Sequence, residues 1–410
     1  MTIEFSLNSR QRELTAMIHQ FAETVVRPQS LSWDREHGVP HDFLRQIVVM
    51  LQSIGGGLSM GPSRGEDAGE TLDAEKKKKR QPALSTILSA EAMSWGDAGL
   101  LLCIPGPGLG GPPVRSSGTP AQRERFFKPF DDMSKDLKWG AYALTEPGAG
   151  SDVAGIRTTC RKEGREWVLS GRKCYITNGA RASWNVVFAT VDPSLGRAGH
   201  RAFVVEKGTP GFSVGRIEDK MGLRASETAE LAFEECRVPE DNLLGGEDSY
   251  KSKEGFMTAM KTFDTTRPLV AAMALGIGRA AYEYAVAFVK EHYVLSRPIP
   301  RYAAIAERLA RVGRNLAAAR VTTWRAAWLA DQGENNAKEA SICKAMAGGA
   351  AIRACIEAIE ICGAEGSIAA EHQLLEKWFR DIKVYDIFEG TGQIQRIVIS
   401  KRLLPDLKSF

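Results

Sequence analysis

Apolar and polar positions change rhythm twice along the chain. Behind Asn8, a natural N-cap, Leu14, Met17, Ile18, Phe21 and Val25 recur at helical spacing, predicting a helix over residues 8–26. Pro28 is expected to stop it. A second helical run covers 42–53, and helical spacing returns over 84–93 and 121–130. Residues 55–80 are rich in Gly, Ser and charge and read as a loop, with a basic run at 76–80 suited to a solvated surface. Around Trp139 the texture becomes β-branched and aromatic. Runs at 167–169, 173–176, 185–191, 202–205, 212–216 and 229–233 are separated by turns such as Asn178-Gly179 and Pro210-Gly211, the signature of antiparallel strands. That region ends near Pro239 and Gly246. Pro268 is then expected to open a long Ala-rich helix to about 293, followed by amphipathic runs over 302–331 and 337–362. Long helices with small residues on one face pack as a bundle. The expected class is α+β: an N-terminal helical domain over 1–140, a middle antiparallel β domain over 141–246, and a C-terminal helical bundle over 247–410.

Composition narrows the function only a little. The 410 residues exceed one ordinary core, and 43% hydrophobic with 25% charged residues is ordinary for a globular protein. A net charge of +4 makes no case for nucleic acid. Without 18 uninterrupted apolar residues, no membrane span is expected, and the first residues lack a basic-then-apolar signal. The seven cysteines are scattered without a CxxC pair, and the six histidines lack ligand spacing. Reduced thiols, a cytoplasmic location and no metal are expected.

Gly106-Pro107-Gly108-Leu109-Gly110-Gly111 matches a dinucleotide fingerprint by letter. It follows no alternating strand and opens no expected helix, and Pro107 removes one N–H that would face a phosphate. It reads as an irregular loop.

Three other segments carry more. Residues 144–152, LTEPGAGSD, place close-set glycines between Thr145 and Ser151, so that backbone N–H groups and hydroxyls can approach a polar ligand. In residues 173–179, KCYITNG, Tyr175 and Thr177 share one strand face and make a wall for a flat heterocycle. In residues 388–396, FEGTGQIQR, Glu389 precedes Gly390 in a turn. Each alone is more often an ordinary turn, strand or surface carboxylate.

Together, and in this order, they resemble the acyl-CoA dehydrogenase family. Lys220-Met221-Gly222-Leu223-Arg224, Phe263-Asp264-Thr265-Thr266-Arg267 and Arg380-Asp381 match its pattern as well. The resemblance is strongest from Tyr142 onward and weakest over 55–81. It implies FAD as cofactor and an acyl-CoA thioester as substrate. Glu389 matches the base that takes the α-proton, and Arg267 a residue supporting its loop. Thr145 and Thr177 match hydrogen-bonding partners of the flavin ring, Tyr142 and Leu144 the strand beneath it, and Gly150 and Ser151 the pyrophosphate segment. Tyr175 stands where the family has Trp. Thr391 and Gln393 match positions near the cofactor. Phe263, Asp264, Arg267 and Gly390 match the substrate channel. Hydride then passes to flavin N5 and electrons to an electron-transfer flavoprotein. A carrier-protein-linked dehydrogenase, or an oxidase of the same fold, is the alternative.

The chemistry explains the set. A thioester α C–H is a very weak acid, and a free Glu with a pKa near 4.3 is too weak a base in water. Burial raises its basicity, and N–H donors polarise the carbonyl where enolate charge develops. Thr266 stands where some relatives place their base, so no second base is expected.

The resemblance also shows a gap. Family members place each flavin at a dimer interface, where the neighbour contacts its ADP half. At the matching positions this chain has His292, Leu295, Ser296, Ala303, Glu360, Gly363 and Ala364. A cationic Arg is replaced by a mostly neutral His292, which loses a charge-assisted contact, and Glu360 adds negative charge. The chain is therefore expected in a homotetramer, or in a heterotetramer with a homologous subunit.

Overall fold

The computed structural model describes residues 6–53, 81–250, 262–292, 300–368 and 370–404. The expected loop at 55–80, with its basic run, falls outside them. Helix α1 (Ser9–Phe21) begins with a capping box: Asn8 Oδ1 accepts from the Gln11 amide at 2.8 Å, and the Gln11 side chain accepts from Asn8 N–H at 3.1 Å. Pro28 does not stop the chain's helical path. A π turn (Ala22–Val26) takes up the lost donor, and α2 (Arg27–Glu36) follows with Pro28 in its first turn. Next come α3 (His41–Ser53), α4 (Pro82–Gly96) and α5 (Ala98–Cys103).

The Gly-rich decoy corrects one expectation. A 3-10 turn (Gly108–Gly110) leads directly into α6 (Gly111–Ser117), so the segment does open a short helix. Its glycines serve packing. A Cβ at Gly110 would lie 2.6 Å from the Ala141 carbonyl, and one at Gly108 2.8 Å from that of Gly140. Helix α7 (Pro120–Phe127) closes this half.

Seven strands form one sheet: β1 (Gly140–Ala143), β2 (Thr159–Glu163), β3 (Glu166–Thr177), β4 (Trp184–Thr190), β5 (His200–Glu206), β6 (Phe212–Ile217) and β7 (Thr228–Pro239). Two of the expected short strands, 167–169 and 173–176, are a single strand, β3, interrupted by bulges. Most pairings are antiparallel as expected, but β1 runs parallel to β4, with Tyr142 opposite Val186. That pairing comes from a long crossover, which residue alternation cannot show. All seven residues of β4 are buried, because both faces of the strand are covered.

The bundle is α8 (Thr262–His292), α9 (Pro300–Asp331), α10 (Ala337–Ile361), α11 (Gln373–Tyr385) and α12 (Gly392–Leu403). Pro268 lies inside α8 rather than opening it. Proline cannot donate to the carbonyl four residues back, and that carbonyl, Asp264 O, is satisfied instead by Asn336 Nδ2 at 3.1 Å. By length and composition α8 could cross a bilayer, yet 72% of its most apolar window is buried inside the protein, as befits a core helix. Sheet and bundle are tied by the matched segments. Leu223 N–H donates to Asp381 Oδ1 at 2.6 Å, and Arg380 Nη1 to Met221 O at 2.9 Å. Arg380 also grips Asp34 of α2 through both carboxylate oxygens, at 3.1 and 2.6 Å. A bidentate pair of this kind fixes direction as well as distance.

Candidate active site

The loop between α11 and α12 is closed by Gly392 N–H donating to Asp386 O at 2.9 Å. A Cβ at Gly392 would lie 2.4 Å from Asp386 Oδ1, so glycine is needed at that point. Thr391 caps α12, its Oγ1 accepting from Ile394 N–H at 3.2 Å. Within the loop Glu389 and Gly390 both have left-handed backbones, at φ 58° and 89°. That turn carries the Glu389 carboxylate to α8, where Thr266 Oγ1 donates to its Oε2 at 2.8 Å. Burial raises the carboxyl pKa above the usual range, while the Thr266 hydrogen bond and the charges of Arg267 and Lys344 pull it down.

Tyr142 on β1 belongs to the same neighbourhood. Its ring meets Phe188 at 5.0 Å and Phe263 of α8 at 5.8 Å. Its phenol is pushed well above its ordinary pKa by burial and by the Glu389 charge. The hydroxyl is buried and finds no hydrogen-bond partner among the described residues. Arg267 lies 5.6 Å from the Phe263 ring and reaches Asp264 Oδ1 at 3.4 Å and Ser341 Oγ at 3.5 Å. The structure thus gathers Glu389, Gly390, Arg267, Asp264, Phe263 and Tyr142 at the junction of sheet and bundle.

The second group forms where β1 ends. Cys174 N–H donates to Thr145 O at 2.9 Å, and Lys173 Nζ to Leu144 O at 3.0 Å. These bonds set the LTEP segment beside the KCYIT strand, 29 residues apart in sequence. Lys173 is fully buried and pairs with Glu146 at 2.7 Å. Glu146 also accepts from the Arg157 and Thr158 amides, at 2.6 and 2.9 Å. That buried pair anchors the LTEP turn, and the sequence reading missed it. Tyr175 sits at a bulge with φ 58° and is 65% exposed, and Thr177 ends β3 opposite Thr228. Gly150 and Ser151 lie exposed on the following bend. Gln393 is exposed in the first turn of α12.

Three more residues escaped the sequence reading: Thr266 as partner of the base, and Lys344 and Gln395 under its loop. Lys344 Nζ donates to Gly390 O at 2.7 Å, and Gln395 Nε2 to the same oxygen at 3.0 Å. A lysine among small residues on the inner face of α10 was the available signal.

Glu389, of raised basicity, acts electrostatically on the Tyr142 phenol, orphaned among the described residues. Residues 141–236 match the family described as acyl-CoA dehydrogenase, middle domain, and residues 253–404 that described as acyl-CoA dehydrogenase, C-terminal domain. The chain is 36% identical over 405 residues to acryloyl-CoA reductase (NADH) of Anaerotignum propionicum, covering 98% of this chain and 96% of the relative. It is also 36% identical over 391 residues to the short-chain specific acyl-CoA dehydrogenase of Rattus norvegicus, covering 95% of this chain and 89% of the relative. The solved butyryl-CoA dehydrogenase of Megasphaera elsdenii superimposes with a TM-score of 0.82 at 33% identity, over 98% of this chain and 100% of that one. The chain belongs to the acyl-CoA dehydrogenase family and is an FAD-dependent oxidoreductase.

The residues present fit such a cofactor. Tyr175 offers an exposed ring, the Tyr142 hydroxyl is unpaired among the described residues, and at Gly148 and Gly150 an added Cβ would meet no atom within 4 Å.

Proposed function

We propose that the protein catalyses α,β-dehydrogenation of a short acyl-CoA thioester, with Glu389 as the α-proton base. The observation that carries this is Glu389 itself, half-buried, raised in basicity by desolvation and aimed by Thr266. The short acyl group is supported by the names of the relatives at 36% identity. The bound FAD supplies the two-electron oxidant that takes the β-hydride.

The chain's own residues do the rest. Leu144, Thr145, Tyr175 and Thr177 would hold the flavin ring, and Gly150 and Ser151 would offer N–H and hydroxyl groups to its pyrophosphate. Thr391 and Gln393 border it from the start of α12. The Glu389 main-chain N–H donates to no other described residue and serves the thioester carbonyl, where enolate charge develops. Asp264, Phe263 and Arg267 line the approach, and the Arg267 charge favours the ionised base. Run in reverse, Glu389 returns the α-proton, the direction named for the Anaerotignum propionicum relative. The electron acceptor follows the family's usual partner, an electron-transfer flavoprotein, in the cytoplasm. The test is anaerobic mixing of the yellow protein with acyl-CoAs of graded length. Short thioesters bleach it fastest, and a protein bleached by none of them refutes the reading.

A second reading concerns assembly. Glu360 is ion-paired with Arg308, which also holds Glu357, and His292 stacks on Phe288 at 4.0 Å with Nδ1 3.0 Å from Phe288 O. Leu295 and Ser296 lie outside the described residues. Side chains at two positions that would serve a neighbour's nucleotide are thus engaged within their own chain. This favours a heterotetramer, in which a homologous subunit supplies the ADP contacts, over a homotetramer.

A further inference from the structure

Lys344 is a charged residue buried where the reaction gives it no part. It lies on α10 between Ala340 and Gly348 and is 1% exposed. A lysine head group is buried at a cost of several kcal/mol unless partners compensate it. Its hydrogen-bond partner is the Gly390 carbonyl, which Gln395 Nε2 holds from the other side. The same amide reaches Glu389 O at 3.3 Å, and Gln395 is fully buried. Donors from α10 and α12 therefore converge on one peptide oxygen.

What they hold is an unfavourable turn. A left-handed backbone is disfavoured at a non-glycine residue because its Cβ crowds the following carbonyl oxygen. Glu389 adopts one, and Gly390 extends it. Released, Glu389 would relax toward ordinary backbone angles and its carboxylate would leave Thr266. Burial pulls the pKa of the Lys344 ammonium down to about 8; Asp386 and Glu389 from the loop raise it, and Arg267 from α8 lowers it. Asp386 comes close because α10 has glycine at 348, where a Cβ would lie 3.3 Å from Asp386 Oδ1. The groups acting on Glu389 are Thr266, Arg267 and Lys344.

We propose that Lys344 is a positioning residue for the base: its ammonium, seated on the Gly390 carbonyl, locks the left-handed Glu389–Gly390 turn that holds the half-buried carboxylate on Thr266. The proposal rests on Glu389 as the base. It assigns Lys344 two separable effects, one through geometry and one through charge. Losing the geometry lowers the rate of flavin reduction and leaves thioester affinity nearly unchanged. Losing the charge raises the pKa of Glu389, so the acid limb of the rate profile moves to higher pH.

The experiment is stopped-flow flavin reduction by an acyl-CoA between pH 5.5 and 9, for wild type, Lys344→Gln and Lys344→Met. Both variants are expected to lose about tenfold or more in limiting rate, with the larger loss in Lys344→Met, and to shift the acid limb upward. Wild-type rate and limb in either variant would overturn the proposal. Should both variants prove insoluble, Gln395→Leu carries the test, because it strips one donor from the same carbonyl and leaves the charge. It is expected to slow reduction with the limb unmoved, and an unchanged rate overturns the clamp. Glu389→Gln serves as reference. If it reduces flavin normally, the base assignment itself has failed. If it is inactive while the Lys344 variants are normal, only the present inference has failed.

Discussion

Glu389 is subject to opposed pressures, and as the proposed base it depends on their balance. Burial favours the neutral acid, while Thr266, Arg267 and Lys344 favour the carboxylate. Too little burial leaves a weak base, and too little compensation leaves a protonated one. Thr266 donates to the charged form, so its loss raises the Glu389 pKa further. Thr266→Val is therefore expected to move the acid limb of flavin reduction upward, slowing the enzyme at low pH and sparing the alkaline plateau. An unmoved limb in a pH series would show that the bond plays no part in the working enzyme. Glu389 stood out in the sequence because a short motif carries it. Its partners did not, because Thr266 lies 123 residues away and Lys344 46 residues from Gly390. Threonine and lysine are common residues, and only the packing of α8 and α10 gives these two a meaning.

At the scale of elements, the longer helices were readable from periodicity, but α2, α5, α6, α11 and α12 were not, and two prolines misplaced boundaries. Pro28 and Pro268 read in sequence as boundaries, yet both lie inside continuous helical paths. In each case something outside local propensity repairs the lost donor: a π turn at Pro28, and a distant side chain at Pro268. Asn336 is that side chain, and it donates both to Asp264 O and to Ala326 O at 3.0 Å. Removing it strands two carbonyls. Asn336→Ala is expected to cost about 1–3 kcal/mol in denaturant unfolding. A loss below about 0.5 kcal/mol, the range of an ordinary surface change, would show that water replaces it. The parallel β1–β4 pairing was equally hidden, since alternation reports faces and not neighbours.

At the scale of the molecule, the site exists only where sheet and bundle meet. Tyr142 comes from β1, Phe263 and Thr266 from α8, Glu389 from the loop before α12, and the wall of Leu144 and Tyr175 from the sheet. Ties such as Leu223 to Asp381 keep these parts in register. The order of helices, strands and helices was legible from texture alone, but that contact was not, because its partners are 158 residues apart. Assembly is the next level. Expressed alone, the chain is expected to be flavin-poor, and co-expression with a homologous subunit to restore flavin and a mass of four chains. A homotetramer with one FAD per chain and full activity would exclude the heterotetramer.

The central claim is that Glu389 removes the α-proton. It is tested most directly by Glu389→Gln, which keeps size and shape while removing basicity. The measurement is anaerobic stopped-flow reduction of the bound flavin by a short acyl-CoA, in protein whose flavin content matches wild type. A fall of about 10²–10⁴-fold or more is predicted. Flavin reduction at a near-wild-type rate would contradict the account.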